Sequence, residues 1–81
     1  MPRIKGEMRR LSELHVGEEG QVARLATPGR AKRRLFALGL RPGARIKLLR
    51  RAPLGDPLEV QVGESFIALR RREAEHILVD R

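Results

Sequence analysis

Two rhythms of apolar residues run along this chain, and the places where one gives way to the other delimit its elements. Leu58, Val60 and Val62 alternate with Glu59 and Gln61, the period-two pattern of a strand with one buried face. Gly63-Glu64 then offers a two-residue turn of type II′ with glycine leading. That turn sets Val60 opposite Ile67 and Leu58 opposite Leu69 on one face, and Glu59 opposite Ala68 and Gln61 opposite Phe66 on the other. A slip of one residue would turn the apolar face outward, so the register is tightly specified.

Between Arg30 and Leu38 the rhythm changes. Ala31, Leu35 and Leu38 recur at i, i+4 and i+7, one face of a short helix. Gly39 follows where a helix ends in a left-handed residue, and Leu40 stands where an apolar side chain folds back on the last turn. Pro42-Gly43 signals a turn.

The remaining segments are shorter. Leu11 and Leu14, three apart, suit one helical turn that plugs an end of the fold. Gln21 to Ala26 reads as a strand of uncertain register, because Val22 asks for one face and Ala23 and Leu25 for the other. Arg45 to Leu48 alternates with Ile46 and Leu48 inward, and Leu49 breaks the period, the mark of a bulge or sharp bend. Ala52 to Pro57 contains two prolines and cannot be a central strand. Arg70 to Glu75 is a charged turn, and Ile77 to Val79 a short last strand. The first ten residues carry four basic side chains and scattered hydrophobes. They read as a loosely held basic arm over 1–10, with the folded domain over 11–81.

The order strand, short helix, strand, hairpin, short strand predicts a mainly β fold. So few residues cannot bury flat sheets without a second layer, so the expectation is a five-stranded barrel, strongly bent, with the helix between the first and second strands covering one end.

Composition narrows the function. The chain has no cysteine, which excludes disulfides and thiolate metal sites. It has no apolar run of the length that crosses a bilayer and no secretory leader, so a cytoplasmic protein is expected. Ser12 and Ser65 have no triad-like surroundings, and there is no phosphate-cradling glycine run. Catalysis is not expected. His15 lies near Glu13, Glu18 and Glu19, and His76 near Glu73, Glu75 and Asp80, without diagnostic ligand spacing, so neither a metal site nor another cofactor is expected. Asp56, between Gly55 and Pro57, is expected to cap its own loop.

The net charge of +8 points to an anionic or acidic partner. Arg30, Lys32 and Arg33 on the helix, with Arg50 and Arg51 on the bent strand, are the candidate partner-binding residues. Two Phe and no Trp or Tyr are a poor supply of stacking platforms for single-stranded nucleic acid.

The run Arg34-Leu35-Phe36-Ala37-Leu38-Gly39-Leu40-Arg41-Pro42-Gly43, continued by Ala44-Arg45-Ile46, resembles the signature of the FeoA family. The loop Ala52-Pro53-Leu54-Gly55-Asp56-Pro57 resembles the family's Ala-Pro-x-Gly-Asp-Pro loop. Leu11-x-x-Leu14, Gly17 to Gly20, Ile67-Ala68-Leu69-Arg70, Glu73-Ala74 and Ile77-x-Val79 match its opening and closing elements, so the resemblance covers Leu11 to Val79. It implies an SH3-like form of the barrel and a core containing Leu35, Leu38, Ile46, Val60, Ile67, Leu69 and Ile77. It also implies a non-catalytic accessory protein of ferrous-iron uptake that binds a FeoB-like membrane iron permease or its cytoplasmic GTP-binding domain. No stable nucleic-acid partner is expected on this reading. The competing reading is a small basic barrel that binds nucleic acid.

Overall fold

The computed structural model describes residues 7–81. Its strands are β1 (Met8–Arg10), β2 (Glu19–Leu25), β3 (Arg45–Arg51), β4 (Leu58–Val62), β5 (Ser65–Leu69) and β6 (Ile77–Asp80). A 3-10 turn, Leu11–Glu13, follows β1. Helix α1 (Gly29–Ala37) joins β2 to β3, and the four-residue α2 (Arg71–Ala74) joins β5 to β6.

The strands form one six-stranded sheet in the order β1-β6-β2-β3-β4-β5, every neighbouring pair antiparallel. The expected closed five-stranded SH3-like barrel is therefore incorrect. A sixth strand is present, and among the described residues β1 and β5 are two edges that do not pair with each other. Two physical reasons account for the difference. Met8–Arg10 adds to β6 through backbone pairing, with Arg9 opposite Val79, and three residues with one apolar side chain leave no periodic trace in sequence. In addition, the apolar face is covered without closure: Leu11 and Leu14 from the first turn, Leu35 from α1 and Leu40 beyond it are all completely buried. Segments outside the strands supply the layer that a barrel would have supplied by curling onto itself. The arm expected over 1–10 thus divides, with residues 8–10 in β1 and residues 1–6 outside the described residues.

Two bulges bend the sheet. Between Val22 and Arg24 the register of β2 on β6 shifts, so Ala23 is the extra residue. Val22 and Leu25, three apart, both face the core and are nearly fully buried. That reconciles the conflicting faces read from the sequence. Between Leu48 and Arg50 the register of β3 on β4 shifts likewise, at the expected position. The hairpin β4–β5 has the expected register throughout, and Gly63 leads its turn with φ +59°.

Helix α1 ends as expected. Gly39 has φ +99°, its N–H reaches the Phe36 carbonyl at 3.0 Å, and the Leu40 N–H reaches the Leu35 carbonyl at 2.9 Å. This paired closure is a Schellman motif, and it packs Leu40 against the same core as Leu35. Leu38, expected in that core, is instead 37 % exposed, because Leu40 occupies the inward position after the chain reverses. Ile67 is half-buried at its margin.

Candidate docking surface

The bulge in β3 decides where the arginines at its end point. Arg50 lies opposite Glu59, and Arg51 opposite the inward-facing Leu58. Arg51 is half-buried in consequence, and one guanidinium nitrogen donates to the carbonyls of Ser12 and Leu14 at 2.7 and 2.6 Å. It satisfies acceptors within and just after the 3-10 turn, in the segment that buries Leu11 and Leu14. Arg50 is exposed and bonds Glu59 across the ladder at 2.8 Å.

Arg30, Lys32 and Arg33 stand together on α1, all exposed. Proline 28 at the helix start leaves no side-chain cap, and the first turn holds no acidic residue. The charge there is basic against a helix end that favours anions, so nothing within the helix offsets it. Six ion pairs form among the described residues: Arg9–Glu7, Arg34–Glu73, Arg45–Glu19, Arg50–Glu59, Arg71–Glu75 and Arg81–Glu18. None uses Arg30, Lys32 or Arg33. Lys32 Nζ sits 5.8 Å from the centre of the Phe36 ring one turn on, a cation–π contact. The five nominated residues therefore divide into an uncompensated helical trio and two strand arginines engaged within the domain. Sequence reasoning missed this division because the parity change at Leu49 decides which arginine faces in.

The neighbouring Arg34 is engaged differently, bonding Glu73 of α2. This ties the helix to the last turn before β6.

Elsewhere the ionisable groups serve the fold. The Glu18 carboxylate accepts the His15 backbone N–H at 2.7 Å. That bond holds its carboxyl below the usual carboxylate range, against a smaller upward push from desolvation and with help from the nearby Arg81 charge. His15 and His76 are exposed. Among the described residues no three His, Asp or Glu side chains gather closely enough to hold a metal ion, and no helix is long and apolar enough to cross a membrane.

The model of the FeoA domain matches residues 9–81, nearly the whole described chain. The chain belongs to the FeoA domain family. As a FeoA domain it is 44% identical to the FeoA protein of Chlorobium tepidum, whose solution structure superposes with a TM-score of 0.83 over 88% of this chain and 69% of that one. FeoA of Stenotrophomonas maltophilia, crystallised with zinc, is 35% identical with a TM-score of 0.76, over 86% and 87% of the two chains. A curated relative is the Fe(2+) transport protein A/Fe(2+) transporter FeoB fusion protein of Porphyromonas gingivalis, 34% identical over 71 residues. Those residues make up 88% of this chain and 8% of the fusion protein.

Proposed function

We propose that this FeoA domain is a non-catalytic accessory module of ferrous-iron uptake, docking through α1 onto an acidic cytoplasmic surface of a FeoB-like permease or its GTP-binding domain. The observation that carries the reading is the Porphyromonas gingivalis relative, in which a domain of this sequence type is joined covalently to FeoB. Covalent linkage of two modules raises their effective concentration for each other, and it is useful where the separate modules bind weakly. The uncompensated charges of Arg30, Lys32 and Arg33 support α1 as the docking face. They are exposed, carried on one helix, and take no part in the ion pairs among the described residues.

The experiment replaces Arg30, Lys32 and Arg33 together by glutamate and measures binding to a purified FeoB-type permease at two salt concentrations. The fold is expected to survive, because exposed substitutions shift stability by only about 0.5 kcal/mol each. Binding is expected to weaken mainly through slower association, with loss of salt dependence. Permease binding indifferent to the reversals would remove α1 from the contact. Tight, sequence-dependent binding to duplex DNA at about 0.15 M salt would replace the transport reading by a nucleic-acid one.

A further inference from the structure

The two edges of the sheet differ in kind. β1 is three residues long and reads Met8-Arg9-Arg10, a short, charged edge of the sort that discourages another strand from adding. β5 reads Ser65-Phe66-Ile67-Ala68-Leu69, five residues without a charge. Phe66 on that strand is 71 % exposed, and with Leu49, Glu59, Ile67 and Ala68 it lines a shallow groove on the outer face.

The hairpin register determines which backbone groups of β5 are open. A two-residue turn is closed by a hydrogen-bonded pair, here Val62 with Ser65. Hydrogen-bonded and non-hydrogen-bonded pairs then alternate along the ladder. Ser65, Ile67 and Leu69 accordingly direct their N–H and C=O groups to β4, and Phe66 and Ala68 direct theirs away from the sheet. At this exposed edge those groups are left to water, and strand addition is the direct way to pair them within protein.

We propose that the β5 edge is a self-association surface, on which a second copy of this chain adds its own β5 antiparallel about Ile67. In that register Phe66 of each copy lies opposite Ala68 of the other, and their outward N–H and C=O groups make four inter-chain hydrogen bonds. A large side chain meets a small one twice, and the two Phe66 rings become diagonal neighbours on one face, within aromatic reach. The argument for a second copy as occupant is the symmetry of the flanking charges. Glu64, in the turn just before β5, and Arg70, just after it, lie equally far along the chain from Ile67, so the same register brings the Glu64 end of each copy's strand beside Arg70 of the other. Arg70 keeps extended backbone angles, φ −66° and ψ 143°, which carries the line of the strand out to it. Among the described residues, neither belongs to an ion pair within the domain. A C2 interface demands this self-complementarity.

The test is sedimentation velocity on the intact chain from about 10 μM to about 1 mM, the affinity range that suits an interface smaller than the standard size. A reversible dimer is expected. Glu64→Arg should weaken it about three- to tenfold, since two like-charge oppositions form at once, and adding Arg70→Glu to that variant should restore it. Phe66→Ser should weaken it further. If Phe66→Ser fails to fold, the two exposed charge variants still decide. Backbone amide shifts of Phe66 and Ala68 should move with concentration while those of Met8 and Arg10 stay fixed. The proposal is overturned by a chain that is monomeric at about 1 mM, including one whose β5 accepts a strand only from a different protein. A dimer indifferent to Glu64→Arg, a charge swap that does not restore it, or concentration-dependent shifts on β1 would equally overturn it.

Discussion

The carboxylate of Asp56 accepts a hydrogen bond from the backbone N–H of Arg71, 3.1 Å away and fifteen positions later in the chain. Asp56 was expected to cap its own loop, but the donor it serves is the first residue of α2. Arg70, at the N-cap of that helix, has no side-chain oxygen to offer, so the cap arrives from the Pro-Gly-rich loop instead. The contact joins that loop to the turn that launches β6. Asp56→Ala is expected to cost about 1 kcal/mol, in the range of a lost helix cap, and Asp56→Asn distinctly less. Urea unfolding of the three proteins measures both.

Arg51 is expected to act on stability. Its guanidinium meets two carbonyls of the first turn, and removing a partner from half-buried acceptors costs about 1–3 kcal/mol. Arg51→Met keeps the stem and loses the donors, so its unfolding midpoint should fall while its affinity for any partner, measured on the folded fraction, stays as in the parent. A normal midpoint with reduced binding would return Arg51 to the docking surface.

Gly20 allows β2 and β6 to approach closely. A Cβ built there would lie 2.5 Å from Val79 Cγ1 and 2.9 Å from the Asp80 carbonyl oxygen. The carbonyl belongs to the ladder and cannot rotate aside as a side chain would. Gly20→Ala should destabilise the domain by about 1–3 kcal/mol, the cost of overpacking, visible as a lowered thermal midpoint. An unchanged midpoint would mean that the β2–β6 spacing is not constrained at this point.

Glu18 gives stability a dependence on acidity. Its folded carboxyl titrates below its unfolded value, so the unfolded chain binds the proton more tightly. The stabilisation is therefore complete above the ordinary carboxylate range and is lost as pH falls through the lowered folded value. Urea midpoints for the parent and Glu18→Gln, measured from about pH 7 down to about pH 3, should differ most at the upper end and converge at the lower. A gap that widens on acidification would contradict the assignment.

Metal affinity of the isolated domain is expected to be weak. No group of three His, Asp or Glu side chains converges among the described residues, and there are no thiolates. Anaerobic titration calorimetry with Fe²⁺ and with Zn²⁺ should give dissociation constants above about 1 μM, or roughly −8 kcal/mol. Tighter stoichiometric binding, abolished by replacing His15 or His76, would reverse this expectation.

The parts of the fold that were legible in the sequence are those governed by neighbours along the chain. The β4–β5 register follows from two residues of turn and an alternating face, and the end of α1 from one glycine and the leucine after it. Leu49 announced its bulge by breaking a clear period, whereas Ala23 did not, because a small residue tolerates either face. β1 was invisible for a different reason: its pairing with β6 joins Met8 to Asp80 and is paid for by backbone hydrogen bonds that any side chain would permit. The docking arginines could be nominated by charge, but their separation depended on the bulge and on the carbonyls of Ser12 and Leu14, which no local pattern encodes.

Because Met8 and Asp80 are ladder partners, the chain comes into the domain and leaves it at the same corner of the sheet. A domain built this way can be spliced into a longer polypeptide at one point, with both connections on the same side and no rearrangement of its interior. It also admits circular permutation: a short linker across that corner, with new ends opened beside Leu54, which is 93 % exposed, would leave all five strand pairings intact.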